Sequence, residues 1–166
     1  MIEYFVSFGE KHRLDYEVLE QEVSNMQTAL WLASEKEMHQ AFVKGVNAFC
    51  HFLNVRGLYA QEGSYLKQAQ TLATSLDDKG GLAGVLLNLG KVATHRGDYE
   101  QTEAYLQEGL DLARQLKDSE RLVALLQSLG ALAGSRRLRA GGSLFTGGGG
   151  FGSPAWIPPL DSSHPR

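Results

Sequence analysis

The feature that most constrains this chain is a sequence repeat with a period of 40 residues. Gly97 lies one period after Gly57, and Tyr99 lies one period after Tyr59. The same offset relates Leu66 to Leu106, Leu72 to Leu112, Ala73 to Ala113, Leu82 to Leu122, Leu86 to Leu126, Leu89 to Leu129, Gly90 to Gly130 and Ala93 to Ala133. Periods of about 20 to 50 residues are typical of solenoids, whose units bury their apolar faces by stacking on their neighbours.

One repeat shows what the unit is. Leu82, Leu86 and Leu89 recur at the spacing of one helix face, which predicts an amphipathic helix. Gly97 can adopt positive φ where that helix ends, and Asp98 can cap the helix that follows. A second apolar stripe then runs to residue 116. Two helices joined by so short a turn lie antiparallel, so the unit is a helical hairpin.

We therefore expect an all-α chain with three parts. Residues 1–36 form N-terminal helices that lead into the array, and residues 37–134 form the repeats, of which the last is incomplete. Helices are expected at about 2–11, 15–35, 37–55 and 58–76, followed by the hairpin above and a seventh helix from about Asp118. Residues 135–166 are rich in glycine and proline, which favour neither helix nor strand, so we expect a disordered or irregular tail.

Composition excludes several function classes. The formal net charge is -3 and no block of like charges occurs, so we expect no direct contact with nucleic acid. Cys50 is the only cysteine, which excludes a disulfide framework or a four-cysteine zinc site. The chain has neither a signal-peptide pattern nor an apolar run near the roughly 20 residues of a membrane span. These features predict a cytoplasmic protein without a membrane segment.

No arrangement of residues typical of catalysis or of a cofactor is found. The histidines at positions 12, 39, 51, 95 and 164 form no i,i+4 pair of the kind that binds zinc on a helix. No phosphate-binding loop of the Walker type occurs. Gly147, Gly149 and Gly152 match the dinucleotide-binding spacing, but Pro154 follows and no strand precedes them. We therefore expect neither an enzyme nor a bound cofactor.

The hairpins resemble tetratricopeptide repeats. The resemblance rests on Leu86, Leu89, Gly90 and Ala93 in the first helix, on Gly97-Asp98-Tyr99 in the turn, and on Leu106 and Gly109 in the second helix. The period exceeds the roughly 34 residues of that family. The upstream segment resembles the start of the repeat arrays in bacterial signal-transduction ATPases and in large transcription regulators of the LuxR type; it includes Leu19, Glu22, Asn25, Ala29, Leu30, Ala33, Phe49, Gly57, Tyr59, Gly63 and Leu66.

The resemblance implies a right-handed α-solenoid that binds a protein or peptide as a scaffold or sensor module. In such arrays the first helix of each hairpin lines a concave groove. The residues that this placement assigns to the groove are Lys44, Asn47, His51, Asn54, Leu87, Lys91, Thr94, His95 and Gln127. The alternative is a small-molecule sensor with its ligand between Phe49, His51, Leu87 and Lys91.

A second surface follows from the incomplete last repeat. The seventh helix has no partner helix in the repeat pattern, which leaves Leu125, Leu126 and Leu129 without cover from one side. An apolar face of this kind is typical of a contact surface. We expect either a homodimer through this C-terminal repeat or cover by the tail.

Overall fold

The computed structural model describes residues 2–12, 16–55 and 59–146, and the secondary structure of these residues is entirely helices and short turns. The helices are α1 Ile2–Lys11, α2 Tyr16–Glu35, α3 His39–Val55, α4 Tyr59–Ser75, α5 Lys79–His95, α6 Tyr99–Leu116 and α7 Ser119–Thr146. The prediction of an all-α fold is confirmed for the described residues. Gly57, expected to end the third helix, lies outside the described residues.

The repeat of the sequence reappears in the helix boundaries. His39, Lys79 and Ser119 begin α3, α5 and α7, and Tyr59 and Tyr99 begin α4 and α6. Consecutive helices contact each other along the whole described chain, and α3 also contacts α1 and α5, while α5 also contacts α7. The odd-numbered helices therefore form one continuous row, and each even-numbered helix contacts the odd-numbered helices before and after it.

The same turn joins the helices at four places. A residue with positive φ ends the helix, and the next N–H donates to the carbonyl of an alanine five residues earlier, as in a Schellman motif. The positive-φ residues are Glu37, Asp77, Gly97 and Lys117, with φ of 53°, 52°, 76° and 55°. The paired residues are Met38 with Ala33 (2.9 Å), Asp78 with Ala73 (2.9 Å), Asp98 with Ala93 (3.0 Å) and Asp118 with Ala113 (3.0 Å). Each of these four alanines is buried, so every turn is anchored in the core.

Aspartate caps the helices after three of these turns. Asp78 accepts from the N–H of Gly81 at 2.8 Å, and Asp98 accepts from the N–H of Gln101 at 3.1 Å. Asp118 accepts from the N–H of Arg121 at 3.0 Å. Each bond satisfies an N–H that has no acceptor within its helix, which fixes the helix start.

The buried residues form two clusters. The larger joins α2 to α5 around the aromatic side chains of α3, where the rings of Phe49 and Phe52 stack with centroids 5.6 Å apart. Cys50 is buried in the same cluster. The smaller cluster contains Leu106, Leu110, Ala113 and Leu125 and joins α6 to α7. Burial of this kind is the main favourable contribution to the folding of such an array.

The last helix differs from the prediction. It continues to Thr146, so residues 135–146 are helical rather than part of an irregular tail. Arg136 lies in this extension and ties it to α6, because its guanidinium donates to Glu103 at 2.7 Å and to the carbonyl of Tyr99 at 3.1 Å. The rest of the predicted tail, residues 147–166, lies outside the described residues.

Among the residues that the structure describes, no helix combines the length and the apolar composition that a membrane crossing would require.

Candidate functional site

A groove with a volume of about 1420 Å³ runs across the row of odd-numbered helices. Its walls come from α3 and α5, from the first turns of α7, from the turns that precede these helices, and from Glu3 and Ser7 of α1. Among the described residues, none from the helical segment of an even-numbered helix lines the groove. The groove is therefore a property of the odd-numbered row and continues from one repeat to the next.

The same repeat positions line the groove in each unit. Positions one period apart supply Gln40, Gly80 and Glu120, then Ala41, Gly81 and Arg121, then Lys44, Gly84 and Ala124. Farther along the helices the matching positions are Asn47 with Leu87 and Ala48 with Asn88. Glycine or alanine occupies six of these positions, namely Ala41, Ala48, Gly80, Gly81, Gly84 and Ala124.

Gly84 allows α3 and α5 to approach each other closely. A Cβ atom at this position would lie 2.9 Å from Nδ2 and 3.0 Å from Cγ of Asn47. The Asn47 amide donates to the carbonyl of Gly81 at 3.0 Å, and its oxygen accepts from the amide of Asn88 at 3.4 Å. Asn47 therefore lines the groove and also holds the two helices together. Its amide group is already engaged within the protein.

Two lysines line the groove beyond the first turns of the helices. Lys44 lies on α3 and is exposed, whereas Lys91 lies on α5 and is half-buried. Leu87 lies on the same face of α5, one helical turn before Lys91. This part of the groove combines one apolar side chain with two positive charges.

The opposite part of the groove, nearer the turns, is mainly acidic. Glu37, Asp78, Asp118 and Glu120 all line it. The ion pair between Asp118 and Arg121, at 2.7 Å, offsets one of these charges. The backbone N–H of Arg121, together with its guanidinium, holds the pKa of Asp118 below its ordinary value. The groove is thus polarised, with cations on its helix side and carboxylates on its turn side.

Four of the nine residues predicted for the groove line it, namely Lys44, Asn47, Leu87 and Lys91. His51 and Asn54 belong to α3, and their side chains lie outside the described part of the molecule.

Thr94, His95 and Gln127 do not line the groove. Thr94 donates to the carbonyl of Gly90 at 2.8 Å and approaches the hydroxyl of Thr102 at 3.3 Å, so it lies at the contact between α5 and α6. His95 is exposed at the end of α5. Gln127 occupies the repeat position of Asn47 and Leu87, but within the described residues no further odd-numbered helix follows α7 to form the opposite wall.

Several groove residues were not predicted from the sequence. Asn88, His39 and Arg121 all line the groove. The repeat offset offered one signal for Asn88, because it lies one period after Ala48. One of these residues is polar and the other apolar, however, and such a pair does not indicate that both line the same groove. Among the described residues, the buried Nδ1 of His39 has no hydrogen-bond partner.

Metal ions in proteins require a set of donor side chains. Within the described ranges, no group of three or more histidine, cysteine, aspartate or glutamate side chains is placed to hold a metal ion. Phe49, assigned to the small-molecule alternative, is buried in the main cluster and does not line the groove.

Comparisons with family models, with curated proteins and with solved structures found no match to this chain. The interpretation of the groove therefore depends on its own geometry.

Proposed function

We propose that this chain is a non-catalytic binding module, a right-handed α-solenoid of tetratricopeptide-like hairpins whose groove takes an extended peptide segment of a partner protein. The observation that carries the proposal is the groove itself, which equivalent positions of successive repeats line. A surface built by repetition along one axis suits a ligand that is also extended along that axis.

The size and shape of the groove favour a peptide over a small molecule. Its volume of about 1420 Å³ exceeds the roughly 300 to 1,000 Å³ of typical small-molecule pockets. The buried position of Phe49 also counts against the small-molecule alternative, because that alternative placed the ligand against this ring.

The charges of the groove indicate the chemistry of the peptide. An acidic side chain fits the part lined by Lys44 and Lys91, since charge-assisted hydrogen bonds to carboxylates are among the stronger polar contacts. A basic side chain fits the turn side, where Glu37, Asp78 and Glu120 lie. We therefore propose a partner segment that carries both an acidic and a basic residue.

The resemblance to the arrays of bacterial signalling ATPases and transcription regulators extends this proposal. As part of such a protein, the module would act as its sensor or scaffold. Peptide binding would favour one curvature of the array and so shift the conformational equilibrium of an attached domain.

The test begins with a peptide-display library selected on the immobilised chain. A selected peptide is then titrated calorimetrically against wild type and against the double variant Lys44→Gln/Lys91→Gln. We expect an acidic residue in the selected sequences and a Kd at least about tenfold weaker for the double variant, equivalent to the loss of one charge-assisted contact.

Lys36→Gln/Lys67→Gln is the matched control, because it removes the same charge from two exposed positions that do not line the groove. Its Kd is expected to equal that of wild type. Equal binding by wild type and by the groove variant would contradict the proposed site. Selection of no peptide, together with binding of a drug-sized compound in the groove, would favour the small-molecule alternative.

A further inference from the structure

A second surface lies on the exposed side of α7. It is formed by residues spaced alternately four and three positions apart, all of them exposed: Ser119, Val123, Leu126, Gly130, Ala133 and Arg137. We refer to these six residues as the α7 stripe. This spacing is that of the contact face in paired helices.

The repeat shows what the α7 stripe lacks. One period earlier, Ala83 and Leu86 are completely buried, whereas Val123 and Leu126 are each 54% exposed. These α5 residues belong to the helix that α6 covers. The α7 stripe is therefore a helix-packing face without a helix on it in the described residues.

Gly130, near the middle of the α7 stripe, leaves a slot that a leucine side chain can fill. In α5, a Cβ on Gly90 would lie 2.7 Å from Cδ2 of Leu106, so the leucine of α6 occupies the space that this glycine leaves. At the equivalent Gly130 nothing lies within 4 Å. The same kind of slot is thus present on α7 and open.

We propose that the α7 stripe pairs with the α7 stripe of a second copy of this chain, antiparallel and about a two-fold axis level with residue 128. A two-fold axis level with residue 128 pairs residues whose numbers sum to 256. Leu126 of each copy therefore faces Gly130 of the other, and Val123 faces Ala133. Large residues then meet small ones, as Leu106 meets Gly90 within the chain, and a two-fold interface is self-complementary by symmetry.

The charges of α7 select the antiparallel arrangement. Arg137 belongs to the α7 stripe and lies beyond the middle of the helix, whereas the neighbouring Arg136 is bonded within the chain to Glu103 and to the carbonyl of Tyr99. Antiparallel pairing places the two Arg137 side chains at opposite ends of the interface, whereas parallel pairing sets these like charges side by side. The helix dipoles also oppose each other in the antiparallel pair. A second copy therefore fits this face in shape and in charge.

Sedimentation of the full chain over a wide range of concentrations tests the proposal. We expect a monomer–dimer equilibrium for wild type and loss of the dimer in Leu126→Glu, because the variant places a carboxylate in the apolar interface. Leu76→Glu is the matched control, since Leu76 is an exposed leucine outside the α7 stripe. Circular dichroism melts of both variants establish that they remain folded.

Disulfide cross-linking then tests the register. An equal mixture of Leu126→Cys and Gly130→Cys chains is expected to give mainly the mixed disulfide, because only these two positions face each other. Predominant cross-links between two Leu126→Cys chains would overturn the antiparallel register.

Two further outcomes would overturn the pairing itself. One is a dimer that persists in Leu126→Glu. The other is a strict monomer, and slow maleimide labelling of the Leu126→Cys thiol in that monomer would assign the face to residues of the same chain.

Discussion

At the scale of single residues, Asn47 links the groove to the stability of the fold. Its side chain bonds to the carbonyl of Gly81 and to the amide of Asn88, both on α5. We expect Asn47→Ala to lower the free energy of unfolding by about 1 to 2 kcal/mol, because two part-buried polar groups lose their partner. Urea denaturation measures the change.

Gln40→Ala is the control for this prediction, because Gln40 lies exposed on the same helix and also lines the groove. Its free energy of unfolding is expected to stay within about 0.5 kcal/mol of wild type. If Asn47→Ala were equally neutral, the bonds between α3 and α5 would not contribute to stability.

Asp118 gives the fold a dependence on acidity. The N–H of Arg121, more than any other group, holds the pKa of Asp118 below its ordinary value. A carboxylate whose pKa is lower in the folded than in the unfolded chain stabilises the fold above its ordinary pKa, and this stabilisation is lost as pH falls through the folded value. We expect Asp118→Asn to show a smaller loss of stability than wild type on acidification from neutral pH to about pH 3. Thermal melts across this range measure it.

Arg121→Ala separates the causes of this effect. The substitution removes the guanidinium but keeps the backbone N–H, which is the largest cause of the lowered pKa. Part of the acid dependence is therefore expected to remain in Arg121→Ala. If Asp118→Asn and wild type lose stability in parallel, the cap of α7 does not contribute to the pH dependence.

At the scale of the elements, the four Schellman turns use different residues in the same backbone conformation. Gly97 has φ of 76° and Lys117 has φ of 55°, in the left-handed region that disfavours residues with a Cβ. A Cβ at Gly97 would meet nothing within 4 Å, so only the backbone conformation matters there. We expect Gly97→Ala to destabilise the chain by about 1 kcal/mol.

Lys117 has the same left-handed conformation in a neighbouring turn, where the reverse substitution, to glycine, can be made. Lys117→Gly is expected to stabilise the chain by about 0.5 to 1 kcal/mol, because glycine adopts the left-handed conformation without the steric penalty. Both changes are read from urea denaturation. A destabilising Lys117→Gly would mean that the lysine side chain outweighs the strain of its backbone.

The sequence predicted the hairpin helices because the clearest of their boundaries carries a local signal. Gly97 and Asp98 combine a positive-φ position with a cap, and the repeat transfers this signal to turns whose residues are less distinctive, such as Asp77 and Lys117. The end of α7 had no such signal. Its extension beyond residue 134 includes Arg136, whose contacts with α6 are long-range and are not visible in local composition.

At the scale of the whole molecule, the sequence predicted the groove only where neighbouring helices form both of its walls. Lys44 and Leu87 lie on helices with a further odd-numbered helix beyond them, and both line the groove. Gln127 occupies an equivalent position but lies on α7, the last helix described. Helix periodicity predicts the helix face on which a residue lies. Whether that face lines a groove also depends on whether the row of odd-numbered helices continues past it.

The division of the core into two clusters predicts how stability is distributed along the chain. Leu125 is buried in the smaller cluster between α6 and α7, and Val46 is buried in the larger one. In a repeat array each unit contacts only its neighbours, so a lost contact affects mainly the adjacent helices. We expect Leu125→Ala to accelerate amide hydrogen exchange in α6 and α7 while exchange in α3 stays unchanged. Exchange read by mass spectrometry on peptic fragments measures this.

Val46→Ala is the matched substitution, because it also truncates a fully buried aliphatic side chain. It is expected to accelerate exchange in α3 and in the helices that contact it, which include α4 and α5. Faster exchange in every helix for both variants would instead describe a single cooperative unit. The loss of a buried side chain destabilises its own unit by about 1 to 5 kcal/mol. This destabilisation reaches the other units only if the coupling free energy between neighbouring units is larger than that loss.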